Sequence, residues 1–270
     1  MEECLLGGQR ATLLAKSDGC SIMQFENHTG EGTMTCYEIF PGTILTFNTH
    51  RLDHRPPKLK KGIEYLYGYF DSEYVPQDNI FAIDYCREGR MEYLAAKDAY
   101  AYVQAKDMKF DRRLQHVGRF VFPAKHYHGL TVAFDLEMAA QALVTEVKDF
   151  PIDIMALRDK YCCSLYPKVI HKMEGIEHIC GELYQVPQKI RVPYFKIKIL
   201  ELLLYLEALE IPEEENSKPY FYKTQVEKVK AVQRFLSEHC AENHTQEELA
   251  EKFDISLTTM KSCFKNMVHP

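Results

Sequence analysis

Near the C-terminus, Thr258, Thr259, Lys261, Ser262 and Lys265 interleave with the apolar Met260, Cys263 and Phe264. On a helix this leaves small hydroxyls and two ammonium groups on the outer side and apolar side chains on the inner one. Lysine donates to guanine O6 and N7, a threonine methyl can touch the thymine methyl, and short hydroxyls donate to phosphates. The chemistry on offer is recognition of duplex DNA. The bland account of each residue is a solvated surface position. A second constellation, His126 and His128, is an HxH pair whose imidazoles a strand would present on one face, as metal sites require. No Glu follows at close spacing, and polar strand positions account for the pair without a metal. No GxSxG, Walker loop or GxGxxG occurs, and adjacent Cys162 and Cys163 have no convincing histidine context. No catalytic residue, metal or cofactor is therefore assigned, and the chain reads as a non-enzyme.

The elements that would position the C-terminal residues are legible. Val226 to Leu236 is a helix with Val226, Val229, Val232, Phe235 and Leu236 on one side. Thr245 and Glu248 form a capping-box pair opening a helix to Phe253, with Leu249, Ala250 and Phe253 apolar. Asp254-Ile255-Ser256 reads as a turn, and Ser256 as the N-cap of a last helix, Leu257 to Met267, with Met260, Cys263 and Phe264 inward. The middle helix is acidic, whereas the last carries Lys261 and Lys265 and no acid. A tight helical pair with a basic, small-polar second helix suits major-groove reading, although a generic helical hairpin can share the pattern.

The first half reads as strands: Thr35 to Phe40, a Pro41-Gly42 turn, Thr43 to Phe47, a Tyr-rich Ile63 to Phe70, Ile80 to Cys86, Met91 to Leu94, Tyr100 to Gln104, Arg119 to Phe122 and Leu130 to Phe134. Arg87-Glu-Gly-Arg90 reads as a hairpin loop. Short strands of this kind suggest a sandwich or small barrel. Arg51 to Lys61 is a basic, proline-containing stretch read as a solvated loop. From residue 136 the period turns helical: Leu136 to Val147, then Ile154 to Cys162 capped by Asp153, then Tyr194 to Glu210. In the last of these, Phe195, Ile199, Leu202, Leu206 and Leu209 follow heptad spacing, which suits either packing within the domain or a seam between two copies. Pro212 to Pro219 has the composition of a linker.

The chain has 270 residues and a formal net charge of −6, so any DNA contact must come from a local patch. Nine cysteines without a CxxC pair read as reduced, mostly buried thiols of a cytoplasmic protein. The N-terminus lacks a signal-peptide pattern, and the apolar run Ile197 to Leu209 is too short and too charged to span a membrane.

The string Glu248-Leu-Ala-Glu-Lys-Phe253, followed by Ile255-Ser256, Met260, Phe264 and Lys265, resembles the first helix-turn-helix of the AraC family of transcription regulators. That family places an Ala in the first helix, a Ser opening the recognition helix, an apolar residue four later and a Phe-Lys near its end; Ala250, Ser256, Met260, Phe264 and Lys265 match in order. Met34 to Gly42 and Ala82 to Arg90 are similar to the family's sensor domain. The resemblance implies an α+β protein with an N-terminal cupin-like β-sandwich or barrel, a helical dimerisation segment and an all-α helix-turn-helix. The boundaries on this reading are 1–135 for the sensor, 136–211 for the helical segment, 212–222 for the linker and 223–270 for a partial DNA-binding domain. By position, Thr258, Lys261 and Ser262 fall where the family contacts bases, and Thr259 and Lys265 where backbone contacts fit. The expected partners are double-stranded DNA, a second copy of the chain through Phe195, Ile199, Leu202, Leu206 and Leu209, an unidentified small-molecule effector, and RNA polymerase.

The family's DNA module has two helix-turn-helix units, and this chain ends just after the first. The expectation is a truncated head, with the apolar end of its last helix uncovered and mobile and a lower DNA affinity per subunit. Two other readings stand beside it: a sensor and dimerisation protein that modulates full-length relatives without tight DNA binding, and a metal-binding cupin using His126 and His128.

Overall fold

The structure, a computed structural model, describes residues 3–6, 9–17, 19–27, 30–52, 68–72, 78–96, 99–114, 118–164, 166–210 and 221–268. It is α+β. Strands β1 (Glu3–Leu6), β2 (Gln9–Ser17), β3 (Cys20–Asn27), β4 (Gly30–Phe40) and β5 (Thr43–Leu52) form an antiparallel meander, with the expected turn at Pro41-Gly42. Strands β6 (Gly68–Ser72), β7 (Ile80–Ala96), β8 (Ala99–Gln104), β9 (Asp107–Asp111), β10 (Gly118–Phe122) and β11 (His126–Asp135) follow, and β12 (Lys168–His171) and β13 (Phe221–Tyr222) join from later in the chain. Two antiparallel sheets result. The first runs β1-β2-β3-β4-β5-β11-β7-β9-β12 and the second β6-β10-β7-β8-β13. The Tyr-rich segment before Gly68, the basic stretch beyond Leu52 and the linker from residue 211 to 220 lie outside the described residues.

Strand β7 belongs to both sheets. Its first half pairs with β11 and β9, its second with β8 and β10. Arg87 to Arg90 is therefore not a hairpin loop, as its glycine suggested, but the bend of a continuous 17-residue strand. Gly89 bends at φ 82°, and a Cβ there would meet the His126 carbonyl oxygen at 2.2 Å. A bulge in the pairing at His128/Gly129 takes up the change of direction.

Helices α1 (Leu136–Glu146), α2 (Ile154–Tyr161), α3 (Glu174–Glu182) and α4 (Arg191–Ala208) pack on the outer face of the first sheet. Asp135 caps α1 by accepting from the Met138 amide, and Asp153 caps α2 by accepting from the Met155 amide at 2.8 Å, as its sequence position implied. Phe81, Ile83, Phe110, Leu130 and Phe134 of the sheet share one core with Leu143, Leu157, Ile179 and Leu202 of the helices. Tyr161 stacks on Phe110 at 4.1 Å and donates to the Leu206 carbonyl at 2.7 Å. This packing gives the strands of the first sheet and helices α1 to α4 one shared core. Strand β12, within the expected helical segment, even completes the first sheet.

The same packing corrects the dimer seam. Phe195 is 1% exposed, and Ile199, Leu202 and Leu206 are fully enclosed, with Leu209 packed beside them. Their heptad spacing serves the chain's own sheet, which offers the helix a broader apolar surface than a second short helix would. What α4 leaves to solvent is Ile197, 62% exposed, and Leu204, 44% exposed. Among the described residues no helix is long and apolar enough to cross a membrane. Of the described cysteines, Cys86, Cys162, Cys180 and Cys263 are buried; burial pushes the Cys162 thiol up to about 12, which suits a packing role rather than a nucleophile.

Buried polar side chains line the inner face of the first sheet. Asp84 of β7 pairs with Arg113 at 2.7 Å and Lys109 at 2.9 Å, and Asp111 pairs with Lys109 at 3.2 Å. Thr131 donates to Asp84 at 2.6 Å, and Asn48 donates to Thr131 at 3.1 Å. Lys109 also lies 4.7 Å from the Tyr93 ring centroid. This set explains why β9 was not legible: its charges look like those of a surface loop, yet they neutralise one another inside the fold. Burial by itself would raise the Asp84 carboxyl, but Arg113 and Lys109 override it and hold it far below the usual range. Its contribution is complete at neutral pH and is lost only as acid protonates it. Asp84→Ala leaves Lys109 and Arg113 to share the one buried carboxylate of Asp111, and urea unfolding at pH 7 is expected to show a loss of about 3–5 kcal/mol; a loss near zero would show the cluster to be solvated.

Candidate nucleic-acid interface

The C-terminal head consists of α5 (Lys223–Glu238), α6 (Gln246–Lys252) and α7 (Leu257–Val268). Val226, Val229 and Val232 meet Leu249, Ala250, Ile255, Met260 and Cys263 in its core. The local devices read from the sequence are in place. Thr245 accepts from the Glu248 amide at 3.2 Å, and the Glu248 carboxylate accepts from the Thr245 amide at 2.9 Å, which lowers the Glu248 carboxyl. Asp254 turns the chain at φ 49°, and the Ile255 amide donates to the Ala250 carbonyl at 3.0 Å. Lys228 of α5 donates to the Asp254 carboxylate at 2.8 Å, holding that carboxyl below its ordinary value and tying the turn to the first helix. Ser256 caps α7 by accepting from the Thr259 amide at 3.2 Å.

With both termini of the turn fixed, α7 presents Thr258, Lys261, Ser262 and Lys265 to solvent. Their positions span an arc of about 100° around the helix axis, so one groove could be read by all four. Thr259 stands apart from them. It is half-buried, and its hydroxyl accepts from Ser256 at 2.7 Å as part of the cap. Residues 221–268 carry seven Lys or Arg and seven Asp or Glu, a neutral balance. Glu247, Glu248 and Glu251 lie on α6, whereas α7 carries Lys261 and Lys265 and no acid.

Along the described side chains of α7 the inner side is packed, as its apolar spacing implied. Met260 and Cys263 are buried and Phe264 is half-buried; the side chains after Lys265 lie outside the described residues. Part of the cover comes from the second sheet. Tyr100 and Tyr102 of β8 pack against the head core, and Lys230 of α5 pairs with Glu92 of β7. Glu92 and Lys230 escaped the reading of the sequence. Position alone could have flagged Lys230, which stands four residues after Val226 on the apolar stripe of its helix.

Among the described residues the histidine pair has no third ligand beside it. His126 is exposed and His128 half-buried, and both face away from the sheet interior, into which the intervening Tyr127 projects. The His128 ring meets Tyr184 edge-on at 4.9 Å, and His126 Nδ1 lies 2.9 Å from the Ala124 carbonyl oxygen. Among the described residues no group of three His, Cys, Asp or Glu is arranged to hold a metal. A cleft of about 420 Å³ opens between β7 and α3, lined by Tyr85, Arg87, Glu88, Lys106 and Glu177 among others. Lys106 and Glu177 are paired across it at 2.7 Å.

No protein-family profile and no curated protein matches the chain. Among solved structures, the AraC-like transcriptional activator CuxR aligns over 96% of this chain and 80% of its own, at 11% identity and a TM-score of 0.31. ToxT from Vibrio cholerae aligns over 82% of this chain and 75% of its own, at 6% identity and a TM-score of 0.37. The EutQ protein of Clostridium difficile covers 43% of this chain and 72% of its own, at 12% identity and a TM-score of 0.26. Likeness this low carries neither fold nor function across.

The capping box gives a direct check on the head. Thr245→Ala removes the side-chain acceptor of the Glu248 amide and is expected to lower the opening free energy of α6, read by native-state hydrogen exchange, by about 1 kcal/mol; unchanged exchange in α6 would mean the cap is not formed in solution.

Proposed function

We propose that the chain is a sequence-specific, DNA-binding transcription regulator of the AraC type, acting in the cytoplasm and sensing a signal through its β-rich N-terminal part. The observation that carries this is the outer face of α7, where Thr258, Lys261, Ser262 and Lys265 stand together in solvent on a helix whose other face is buried. Lys261 is assigned to a base edge together with Thr258 and Ser262, and Lys265 to a phosphate. RNA polymerase is a further partner of such a regulator. The test is selection of duplexes from a random pool, followed by titration at several salt concentrations. Lys261→Ala is expected to cost about 1–3 kcal/mol against the selected site, and Lys265→Ala to reduce the slope of log K against log salt by about 1. Recovery of no preferred duplex overturns the reading.

The head's neutral balance favours a second reading, a sensor that forms mixed dimers with relatives and binds DNA weakly by itself. Both readings need a dimer. We place its seam on the outer side of α4, where Ile197 and Leu204 stand exposed one heptad apart, rather than on the buried stripe. Ile197→Glu is expected to convert a sedimenting dimer to monomer with an unchanged melting temperature. A wild-type chain that sediments as a monomer at tens of micromolar removes the seam.

A further inference from the structure

Three contacts tie the head to the second sheet, and each is of a different physical kind. Phe221 and Tyr222, just before α5, pair antiparallel with Tyr100 and Ala99, so the head enters the fold as an added strand. Tyr100 and Tyr102 then insert their rings into the head's apolar cluster, with Tyr102 edge-on to Phe221 at 6.1 Å. Finally, Lys230 and Glu92 form an ion pair that is closed to solvent on both sides, Lys230 being 9% exposed and Glu92 2%. The Lys230 ammonium also lies 5.3 Å from the Tyr100 ring centroid, and Arg90 lies 4.6 Å from that of Tyr102. Burial, and after it the Glu92 charge, pushes the Tyr102 phenol well above its usual range, and Cys263 of α7 adds to that shift. Met260 and Cys263 of α7 belong to the cluster that Tyr100 and Tyr102 pack against, so the contact reaches the helix with the exposed lysines from behind.

A buried ion pair holds only in one geometry, because each charge depends on the other once water is excluded. The head core by itself is eight buried side chains from Val226 to Cys263, with Phe235, Leu236, Phe253, Leu257 and Phe264 only partly buried around them, a small apolar volume for three helices. We infer that strand β8 is a structural part of the head: Tyr100 and Tyr102 complete its core, and the Lys230–Glu92 pair fixes the orientation of α7 relative to the sensor. The exposed face of α7 and its docked face lie back to back. Any displacement of the β7–β8 hairpin is then transmitted to the exposed residues without passing through the linker or α4. The consequence for DNA rests on the proposed function; the docking itself does not.

The test is hydrogen exchange on the full chain without DNA, so that it fails independently of whether α7 reads DNA. Lys230→Glu sets two carboxylates against each other and is expected to speed exchange in α7 about tenfold or more, with β11 unchanged. The charge-swapped double variant Lys230→Glu, Glu92→Lys is expected to return α7 to within about threefold of the wild type. Tyr102→Leu, which leaves the pair intact but removes the ring, is expected to speed exchange in α7 to a smaller degree. Exchange in α7 equal to the wild type in both Lys230→Glu and Tyr102→Leu overturns the inference. A rise in β11 matching that in α7 also overturns it, since the pair would then be a general stability contact rather than a lock on the head.

Discussion

Strand β7 runs through both sheets, and its bend at Gly89 decides where two separate parts of the molecule can be. On one side of the bend, Asp84 points inward and gathers Lys109, Arg113 and Thr131. On the other, Glu92 reaches the head through Lys230. A residue with a Cβ at the bend would collide with the His126 carbonyl, so the sheet could not turn there and the two charge arrangements would lose their common frame.

The two buried charge sets differ in what they do. The Asp84 cluster is internally neutral and hydrogen-bonded, so it defines the spacing of β5, β7, β9 and β11 without adding much net stability over an apolar filling. The Glu92–Lys230 pair joins segments 138 residues apart and lies between two units that would otherwise meet only through aromatic rings and one short strand pairing. Apolar contacts tolerate sliding; a desolvated ion pair does not. The pair consequently supplies orientation, and the tyrosines supply most of the area.

Electrostatics limits what the head can do. With its charges in balance, attraction to a polyanion depends on the local field of Lys261 and Lys265 and on the acids of α6 being turned elsewhere. Two heads held in fixed relation would add their contacts, which makes the rigidity of the docking and the outer face of α4 parts of the same question.

Most of what the sequence determined by itself is local. Asp153, Thr245 and Ser256 cap helices through bonds spanning two or three residues, and those residue types at those spacings leave few other options. The periodic faces of α5 and α7 are equally legible, and with them the four exposed residues. Which surface each apolar stripe meets was decided only by the tertiary structure. The heptad on α4 fits a partner helix and a sheet equally well, and the sheet prevails because it removes more apolar area from water. Arg87 to Arg90 suits a hairpin until the pairing of both halves with different sheets makes it a bend. Lys109, Lys230, Asp84 and Glu92 look like surface charges, since nothing nearby in the chain identifies a partner 25 to 138 residues away. A charge is buried only when folding delivers its counter-charge, and that is a property of the fold as a whole.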